Sequence, residues 1–264
     1  EISLTDIDFK IICEEYEFDS VTFYDFYHCR YGKLPKPLRE EVQKYFQLKS
    51  ELKGVAGSEL YYQLSKAKLN SVYGMSVTNP CRISIDYIND EFIERVEDER
   101  ELLEASNRKA FLVYAWGIWT TAHARMELEK MMNLVGVERF VYCDTDSCKY
   151  LHPEKYETAF ALLNSKLQAL SQKAGAVAYD SNNNPVYIGT YDFEGIYTDF
   201  MTLGSKKYLY SYDNAHTIHS VISGVSKNVG QQFFSEHGFE YFTDGRVIAD
   251  SGKLTAYCND DPPH

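Results

Sequence analysis

Apolar positions along the chain recur with two periods, one typical of helices and one typical of strands. The helical period, with apolar residues every three or four positions, recurs near residues 37–53, 58–74, 111–133, 155–173 and 227–237. Strand-like runs occupy about residues 139–151, 186–196, 200–212 and 217–224. Residues 1–30 predict a strand, a helix and a second strand. This mixture predicts an α+β fold.

Glycine, proline and short polar residues mark the boundaries between these elements. Gly54 and Gly57 predict a turn between two antiparallel helices, and Gly74 predicts the end of the second helix. The pair Ser106-Asn107 predicts the cap of the long helix over 111–133. Residues 181–185 predict a surface loop, because Ser, Asn and Pro favour turns.

The sequence Tyr142-Cys143-Asp144-Thr145-Asp146-Ser147 lies between two strand-like runs. Asp and Thr suit a tight turn, so the pattern predicts a hairpin with Asp144 and Asp146 near its exposed tip. Two convergent carboxylates repel one another and typically persist to bind a cation, and their hard oxygen atoms favour Mg²⁺ or Mn²⁺ over zinc. An Asp-x-Asp sequence also occurs in ordinary solvated turns, so the motif alone leaves both interpretations open.

A second polar set lies on the helical stretch that precedes Gly74. Lys66, Asn70 and Tyr73 are spaced i, i+4 and i+7, so they share one helical face. An ammonium, an amide and an aromatic ring on one face can bind a nucleotide through phosphate contact, orientation and stacking. By itself, however, the set is more typical of a solvated face with a half-buried tyrosine. Another face, predicted to pack, carries Leu60, Leu64, Ala67 and Ser71.

Taken together, these motifs resemble those of family B DNA polymerases. Lys-x3-Asn-Ser-x-Tyr-Gly, over residues 66–74, resembles motif B, and Asp-Thr-Asp-Ser, over 144–147, resembles motif C. A third element, Gly-Ser-Lys-Lys-Tyr over residues 204–208, resembles the Lys-x-Tyr motif that holds a primer terminus. Asp192 and Glu194 precede it on a predicted strand. The closer resemblance, over about residues 1–245, is to the protein-primed branch of phages, linear plasmids and mobile elements.

The resemblance implies template-directed DNA synthesis by two-metal nucleotidyl transfer, with Mg²⁺ or Mn²⁺ as the cofactor. Asp146 is then the direct metal ligand and Asp144 the supporting carboxylate. The residues implied in nucleotide binding are Lys49, Lys66, Asn70 and Tyr73. Those implied in primer-template binding are Ser71, Gly74, Thr145, Lys206 and Tyr208. The implied partners are a DNA primer-template, deoxynucleoside triphosphates, the rest of the polymerase and, in protein-primed members, a terminal protein.

The resemblance also implies how the chain is divided. Its parts are the end of the segment between motif A and the fingers (1–30), two-helix fingers with motif B (31–79), an acidic insertion (80–110), a palm whose antiparallel sheet is backed by helices (111–224), and the start of the thumb (225–264).

Motif A, which supplies a third carboxylate in the family, has no counterpart in this sequence. Tyr24-Asp25-Phe26-Tyr27 lacks the Ser-Leu-Tyr-Pro portion of that motif, and the exonuclease carboxylates are also missing. We expect a C-terminal fragment that is inactive alone, and a naturally split enzyme remains open. The alternative from a different class is a non-catalytic nucleic-acid or partner-binding remnant. A phosphohydrolase that uses the same carboxylates lacks a candidate base or histidine cluster.

The overall charge argues against nucleic-acid binding. The formal net charge is −12, whereas nucleic-acid binders usually carry a basic surface. Eight acidic residues lie between Asp90 and Glu104. The local field decides where a phosphate binds, and the predicted fingers carry the lysines at 44, 49, 53, 66 and 68.

The six cysteines show no zinc-ligand spacing and predict free thiols in a reducing compartment. The sequence contains no signal peptide, and its longest apolar run, 110–119, is too short to span a membrane. A cytoplasmic location without membrane contact is therefore expected.

Overall fold

The computed structural model describes residues 2–28, 30–79, 81, 83–95, 98–110, 113–250 and 253–256. Within that part of the chain it contains seven α-helices and eleven short strands, which form sheets of two or three strands. The predicted α+β fold is therefore confirmed at this level. The chain folds as two compact units, residues 1–140 with 156–191 and residues 141–155 with 192–264.

In chain order the elements are α1 (Asp6–Glu15), α2 (Lys36–Leu52), α3 (Glu59–Ser76), β1 (Ser84–Ile88), β2 (Glu91–Arg95), α4 (Glu99–Lys109), α5 (Tyr114–Val135), β3 (Phe140–Asp144), β4 (Ser147–Tyr150), α6 (Glu157–Ala174), β5 (Val177–Tyr179), β6 (Pro185–Tyr187), β7 (Asp199–Gly204), β8 (Lys207–Ser211), β9 (His219–Ile222), α7 (Lys227–His237), β10 (Val247–Asp250) and β11 (Lys253–Ala256). The pairs β1–β2, β5–β6, β7–β8, β8–β9 and β10–β11 are antiparallel, and β3 pairs with β4. The helices predicted near 37–53, 155–173 and 227–237 are confirmed as α2, α6 and α7.

Helix α1 is fixed to α5 by an ion pair. Thr5 and Asp8 form a capping box at the start of α1, which satisfies two backbone donors there. The other oxygen of Asp8 accepts hydrogen bonds from Nε and Nη2 of Arg125 on α5, at 2.8 and 2.7 Å. Because only 12% of the Asp8 side chain is exposed, its charge depends on this arginine.

The two strands predicted on either side of α1 are wrong for the described residues. Residues 2–5, 16–28 and 30 form no strand, although residues 16–31 are rich in aromatic side chains that favour strands. A strand needs a neighbour for its backbone groups, and no described strand pairs with this segment. The end of this segment is fixed by a side chain instead, since the Tyr31 hydroxyl donates to Asp6 on α1 at 2.7 Å.

Helices α2 and α3 form the predicted pair. Gly54 and Gly57 between them adopt φ of +75° and +78°, a conformation that glycine reaches without strain. Lys68 Nζ on α3 lies 5.4 Å from the centre of the Tyr45 ring on α2. From α2, Gln43 and Gln47 hydrogen-bond to the backbone of β5.

Two details predicted for α3 are wrong. The helix continues past Gly74 to Ser76, because the hydroxyls of Ser76 and Thr78 donate to the last carbonyls, those of Tyr73 and Gly74. The predicted packing face, with Leu60 and its companions, is exposed. The residues that pack are instead Tyr62, Ser65, Leu69, Val72 and Ser76, which follow the helical period one or two positions later.

The predicted cap of the long helix is also wrong. Ser106-Asn107 lie inside a separate helix, α4, and α5 begins only at Tyr114. Asp98 is the cap residue of α4, since its carboxylate accepts the backbone N–H groups of Arg100 and Glu101. The acidic residues Glu99 and Glu101 in the first turn suit the positive end of that helix.

Gly117 lies inside α5 and faces the end of α3. A Cβ atom there would overlap Val77 Cγ1 and lie 2.5 Å from Ser76 Oγ. Gly74 is also helical, but a Cβ atom on it would meet no atom within 4 Å.

We expect Gly117→Ala to lower the free energy of unfolding and the matched variant Gly74→Ala to raise it. Alanine in a helix gains about 1 kcal/mol over glycine. Overpacking costs roughly 1–3 kcal/mol, and only Gly117→Ala incurs it. Urea unfolding followed by circular dichroism measures both variants. Equal stabilisation by the two substitutions would contradict the close approach of α5 to α3.

The chain between β6 and β7 contradicts the strand predicted over 186–196. Only Pro185–Tyr187 are in strand β6, so Asp192 and Glu194 do not lie on a strand. The side chain of Asn164 on α6 explains the early end. Its amide donates to the carbonyl of Tyr191 and its oxygen accepts the N–H of Tyr191, both at 2.8 Å. The Asn164 side chain thereby supplies the hydrogen bonds that a neighbouring strand would otherwise give to Tyr191. The predicted surface loop at 181–185 is confirmed up to β6, with Asn182 and Asn184 donating to Asp180.

The sheet β7–β8–β9 of the second unit has two different faces. On one face, Leu209 and Ile222 join Ile218, Phe234 of α7, Phe242 and Ile248 in a core of buried side chains. The opposite face is aromatic, because the alternate residues of β8 are tyrosines. Its rings belong to Tyr142, Tyr197, Phe200, Tyr208, Tyr210, Tyr212 and His219, with neighbouring centroids 4.6–6.1 Å apart. The sheet is thus packed by α7 on one side and lined with tyrosines on the other.

Candidate active site

The hairpin predicted around the two aspartates is confirmed. Asp144 ends β3 and Ser147 begins β4, so Thr145 and Asp146 form the connection. Thr145 has φ of +55°, and the Asp146 N–H donates to the Asp144 carbonyl at 2.6 Å. The Thr145 hydroxyl also donates to Asp144 Oδ1 at 2.9 Å. Asp146 is exposed at the tip, whereas 19% of the Asp144 side chain is exposed.

The turn of a second hairpin meets this first one. Ser205 and Lys206 connect β7 to β8, and Lys206 takes φ of +54°. Its backbone N–H donates to the Tyr142 hydroxyl at 2.8 Å, and its Nζ donates to Asp144 Oδ1 at 2.5 Å. The fold therefore brings the Asp-Thr-Asp-Ser and Lys-x-Tyr segments together, although Lys206 and Asp144 are 62 positions apart.

The charges of this contact stabilise one another. Burial raises the pKa of Asp144, but the hydrogen bonds from Lys206 and Thr145 outweigh it, so that pKa is lowered overall. The hydrogen bond to Asp144 in turn raises the pKa of Lys206. Asp144 is consequently ionised and Lys206 protonated at neutral pH, which are the forms that an ion pair requires.

Tyr208, predicted to contact the primer, lies on the aromatic face next to this ion pair. Its ring centre is 5.1 Å from that of Tyr142 and 5.5 Å from that of Phe200. Burial raises the pKa of the Tyr208 hydroxyl to about 12, so it remains a neutral donor. The two segments are therefore joined by ring packing as well as by charge.

Sequence reasoning missed two residues of this site, Lys149 and Tyr142, whose hydroxyl accepts the Lys206 N–H. Lys149 on β4 is only 13% exposed, and its Nζ lies 3.3 Å from Glu194 and 5.4 Å from the centre of the Tyr197 ring. Its charge helps to lower the pKa of Asp144. A lysine three positions after Asp146 within a strand is the signal that could have identified it.

Cys143 and Cys148 flank the hairpin as free thiols, as predicted, and so do Cys13 and Cys81 elsewhere in the described chain. Cys29 and Cys258 lie outside the described residues. Burial raises the pKa of Cys148 to about 11 and also raises that of Cys143. These thiols are protonated at neutral pH, so they are poor metal ligands compared with the neighbouring carboxylates.

The donor set suits a divalent metal ion in kind but not in number. Asp144 and Asp146 supply the hard oxygen atoms that Mg²⁺ prefers. Over the ranges that the structure describes, no group of three or more His, Cys, Asp or Glu side chains gathers in one place. To hold such an ion, this pair would need further oxygen ligands.

The residues predicted to bind the nucleotide lie in the other unit, on α2 and α3. Lys66 and Asn70 are exposed and Tyr73 is 40% exposed, so the predicted face of α3 is open to solvent. Lys49 on α2 is partly exposed. The Ser71 hydroxyl donates to the Lys68 carbonyl at 2.8 Å. The roles of these residues stay predictions.

Three DNA polymerases, from Bacillus phages Nf, M2 and B103, are similar to this chain. Each is 27% identical to it over 150 residues, which is 56% of this chain and 24% of the relative. The chain thus spans about a quarter of the length of the curated relatives it matches. No protein-family model and no solved structure matches it. The resemblance to phage DNA polymerases, predicted from the motifs, is confirmed.

A membrane-spanning helix would have to be both long and apolar, and none of the helices in the described ranges meets both conditions.

Proposed function

We propose that this chain carries the fingers and part of the palm of a protein-primed family B DNA polymerase. In this proposal it contributes to template-directed DNA synthesis by two-metal nucleotidyl transfer. The observation that carries the proposal is the contact between Lys206 and Asp144, because it joins two motifs whose order along the chain had suggested a polymerase. The similarity to phage DNA polymerases supports the same conclusion.

The catalytic carboxylates in this proposal are Asp144 and Asp146, with Asp146 as the direct ligand of a divalent metal ion. Bound Mg²⁺ or Mn²⁺ would activate the attacking hydroxyl and stabilise the leaving pyrophosphate. Asp146 is exposed at the hairpin tip, where a substrate can reach it. The third carboxylate would come from a motif A segment that these 264 residues do not contain.

The nucleotide would bind on the open face of α3. Lys66 would contact the triphosphate, Asn70 would fix its orientation, and Tyr73 would line the pocket of the new base pair. Lys49 on α2 would add a second cation for the phosphates. The exposure of Lys66, Asn70 and Tyr73 on one face supports this assignment.

The primer-template would be held chiefly through its backbone, which positions DNA without specifying sequence. Lys206 and Tyr208 would contact the primer end, and Thr145 lies at the tip of the neighbouring hairpin. Ser71 and Gly74 on α3 would allow the template to approach closely, and the open space around Gly74 supports this role. A terminal protein that offers a hydroxyl as the first primer is a proposed partner, as is the rest of the polymerase.

A non-catalytic nucleic-acid or partner-binding remnant of a polymerase is the second candidate function. Two observations favour it, the formal net charge of −12 and the two-carboxylate donor set. A remnant has no need to bind a nucleotide, so nucleotide affinity separates the two candidates.

We expect Lys66→Ala to raise the apparent KM for nucleotide in the polymerase that contains this chain. Loss of one charge-assisted contact corresponds to about 10- to 150-fold. The matched control is Lys68→Ala, two positions away on the same helix, where the lysine lies over the Tyr45 ring. Steady-state primer extension over a range of nucleotide concentrations measures both variants. If the two variants have the same KM as the unmodified enzyme, the assignment of the α3 face is wrong.

A further inference from the structure

The hairpin formed by β1 and β2 exposes side chains on both of its faces. Its strands are joined by Asn89 and Asp90, whose φ angles of +53° and +67° suit a tight hairpin turn. The hairpin is a sheet of its own, to which no other described strand is added. A lone two-stranded hairpin is at best marginally stable in water, so contact with another surface would stabilise it.

One face of this hairpin is apolar. Residues that pair across an antiparallel ladder lie on the same face, so Tyr87 and Phe92 are side by side, and Ile85 follows two positions away on β1. The centres of the Tyr87 and Phe92 rings are 4.9 Å apart. The exposed fractions of Ile85, Tyr87 and Phe92 are 63%, 62% and 79%. A contiguous apolar patch of this kind on a soluble protein is typical of a protein–protein contact.

An acidic border, formed by Asp90, Glu91 and Glu94, surrounds this apolar face. Glu94 pairs with Ile85 and therefore lies on the face itself, whereas Asp90 and Glu91 lie at the turn. All three residues of the border are exposed. The border thus places negative charge next to the two rings.

The arginines of this region are paired with other carboxylates. Arg95 lies 3.6 Å from Asp86 on the hairpin, and on α4 Arg100 and Arg108 lie 3.4 and 3.5 Å from Glu104. These arginines therefore neutralise Asp86 and Glu104 and leave the acidic border negative.

The acidic border determines the kind of partner that can approach the apolar face. It repels the phosphates of DNA, anionic lipid headgroups and the same face of a second copy of this chain. It attracts a basic polypeptide, which can bury its own apolar side chains against the two rings. Charge and apolar surface together therefore favour a basic protein.

We propose that the β1–β2 hairpin is a docking surface for a basic segment of another protein. Ile85, Tyr87 and Phe92 are its apolar anchors, and the acidic border orients the partner. This inference goes beyond the proposed function, and it holds whether or not the chain takes part in DNA synthesis.

Fluorescence anisotropy with two labelled peptides of equal length tests the charge preference. One peptide alternates lysine with valine, and the other alternates glutamate with valine. We expect the complete chain to bind the lysine peptide at least about tenfold more tightly, since two or three exposed ion pairs together correspond to about that factor. Equal affinity for the two peptides overturns the proposal.

Phe92→Ala tests the apolar anchors. We expect it to raise the Kd for the lysine peptide by about five- to thirtyfold, as removal of an aromatic anchor does at protein interfaces. Leu162→Ala is the matched control, because Leu162 on α6 of the same unit is similarly exposed, at 61%, and should leave the Kd unchanged. An unchanged Kd for Phe92→Ala, or an equal rise for Leu162→Ala, overturns the assignment of the face.

Glu94→Gln tests the acidic border and keeps both rings. We expect it to raise the Kd for the lysine peptide by about two- to fivefold, while Glu157→Gln, at an exposed position on α6, leaves the Kd unchanged. A nuclear Overhauser effect between the Tyr87 and Phe92 rings verifies that the hairpin of Glu94→Gln is folded. An unchanged Kd in the folded variant means that the border does not select the partner.

A labelled DNA duplex tests the other class of partner. We expect Phe92→Ala to leave the affinity for this duplex unchanged. If Phe92→Ala weakens DNA binding as much as it weakens binding of the lysine peptide, the hairpin is a nucleic-acid surface and the proposal fails.

Discussion

Asp146→Asn is expected to reduce nucleotide addition by the polymerase that contains this chain by at least about a thousandfold. The substitution keeps the volume of the side chain and removes its charge. Asp146 is exposed at the hairpin tip, so the structure of the hairpin does not depend on burying it. The loss should therefore fall on the chemical step and leave primer-template affinity close to normal.

Single-turnover extension of a labelled primer measures the rate, and a separate titration measures the affinity for DNA. Asp25→Asn is the control, since Asp25 is exposed and belongs to the sequence that only superficially resembles motif A. A reduction of less than about tenfold would exclude Asp146 as a metal ligand.

The second large effect is the absence of polymerase activity in the isolated chain. We expect the purified 264-residue protein to give no detectable primer extension with Mg²⁺ or Mn²⁺. Two-metal chemistry needs several oxygen ligands to clamp both ions, and the described residues gather no group of three or more His, Cys, Asp or Glu side chains.

Complementation makes this result informative. Adding a polypeptide that carries the motif A aspartate, on the same chain or in trans, should restore extension, and its Asp→Asn version should not. Robust extension by the chain alone would mean that another carboxylate already completes the site.

The sequence was sufficient to predict the local structure where residues close together in the chain determine it. The aspartate hairpin follows from a turn sequence between two strand-like runs, and the shared face of Lys66, Asn70 and Tyr73 follows from helical spacing. The turn at Gly54 and Gly57 was also predictable, because few other residues reach that conformation easily.

The errors arose where individual side-chain hydrogen bonds, some of them from distant residues, decide the outcome. The strand predicted through Tyr191 does not form because a side chain on α6, Asn164, takes the backbone groups that a strand would use. Gly74 does not end α3 because two hydroxyls beyond it cap the last carbonyls. The contact between Lys206 and Asp144 lies beyond any local pattern, since only the folded sheet brings those positions together.

The hydrogen bond from the Lys206 backbone to the Tyr142 hydroxyl has an evolutionary consequence. A backbone donor is present whichever residue occupies position 206, so mutation there cannot remove it, except to proline. The hydrogen bond therefore depends on the side chain at position 142, because phenylalanine there would keep the ring packing and lose the acceptor oxygen. Natural variants should therefore change the charge at position 206 more freely than the hydroxyl at position 142. The turn can then keep its conformation in relatives that have lost the lysine ammonium.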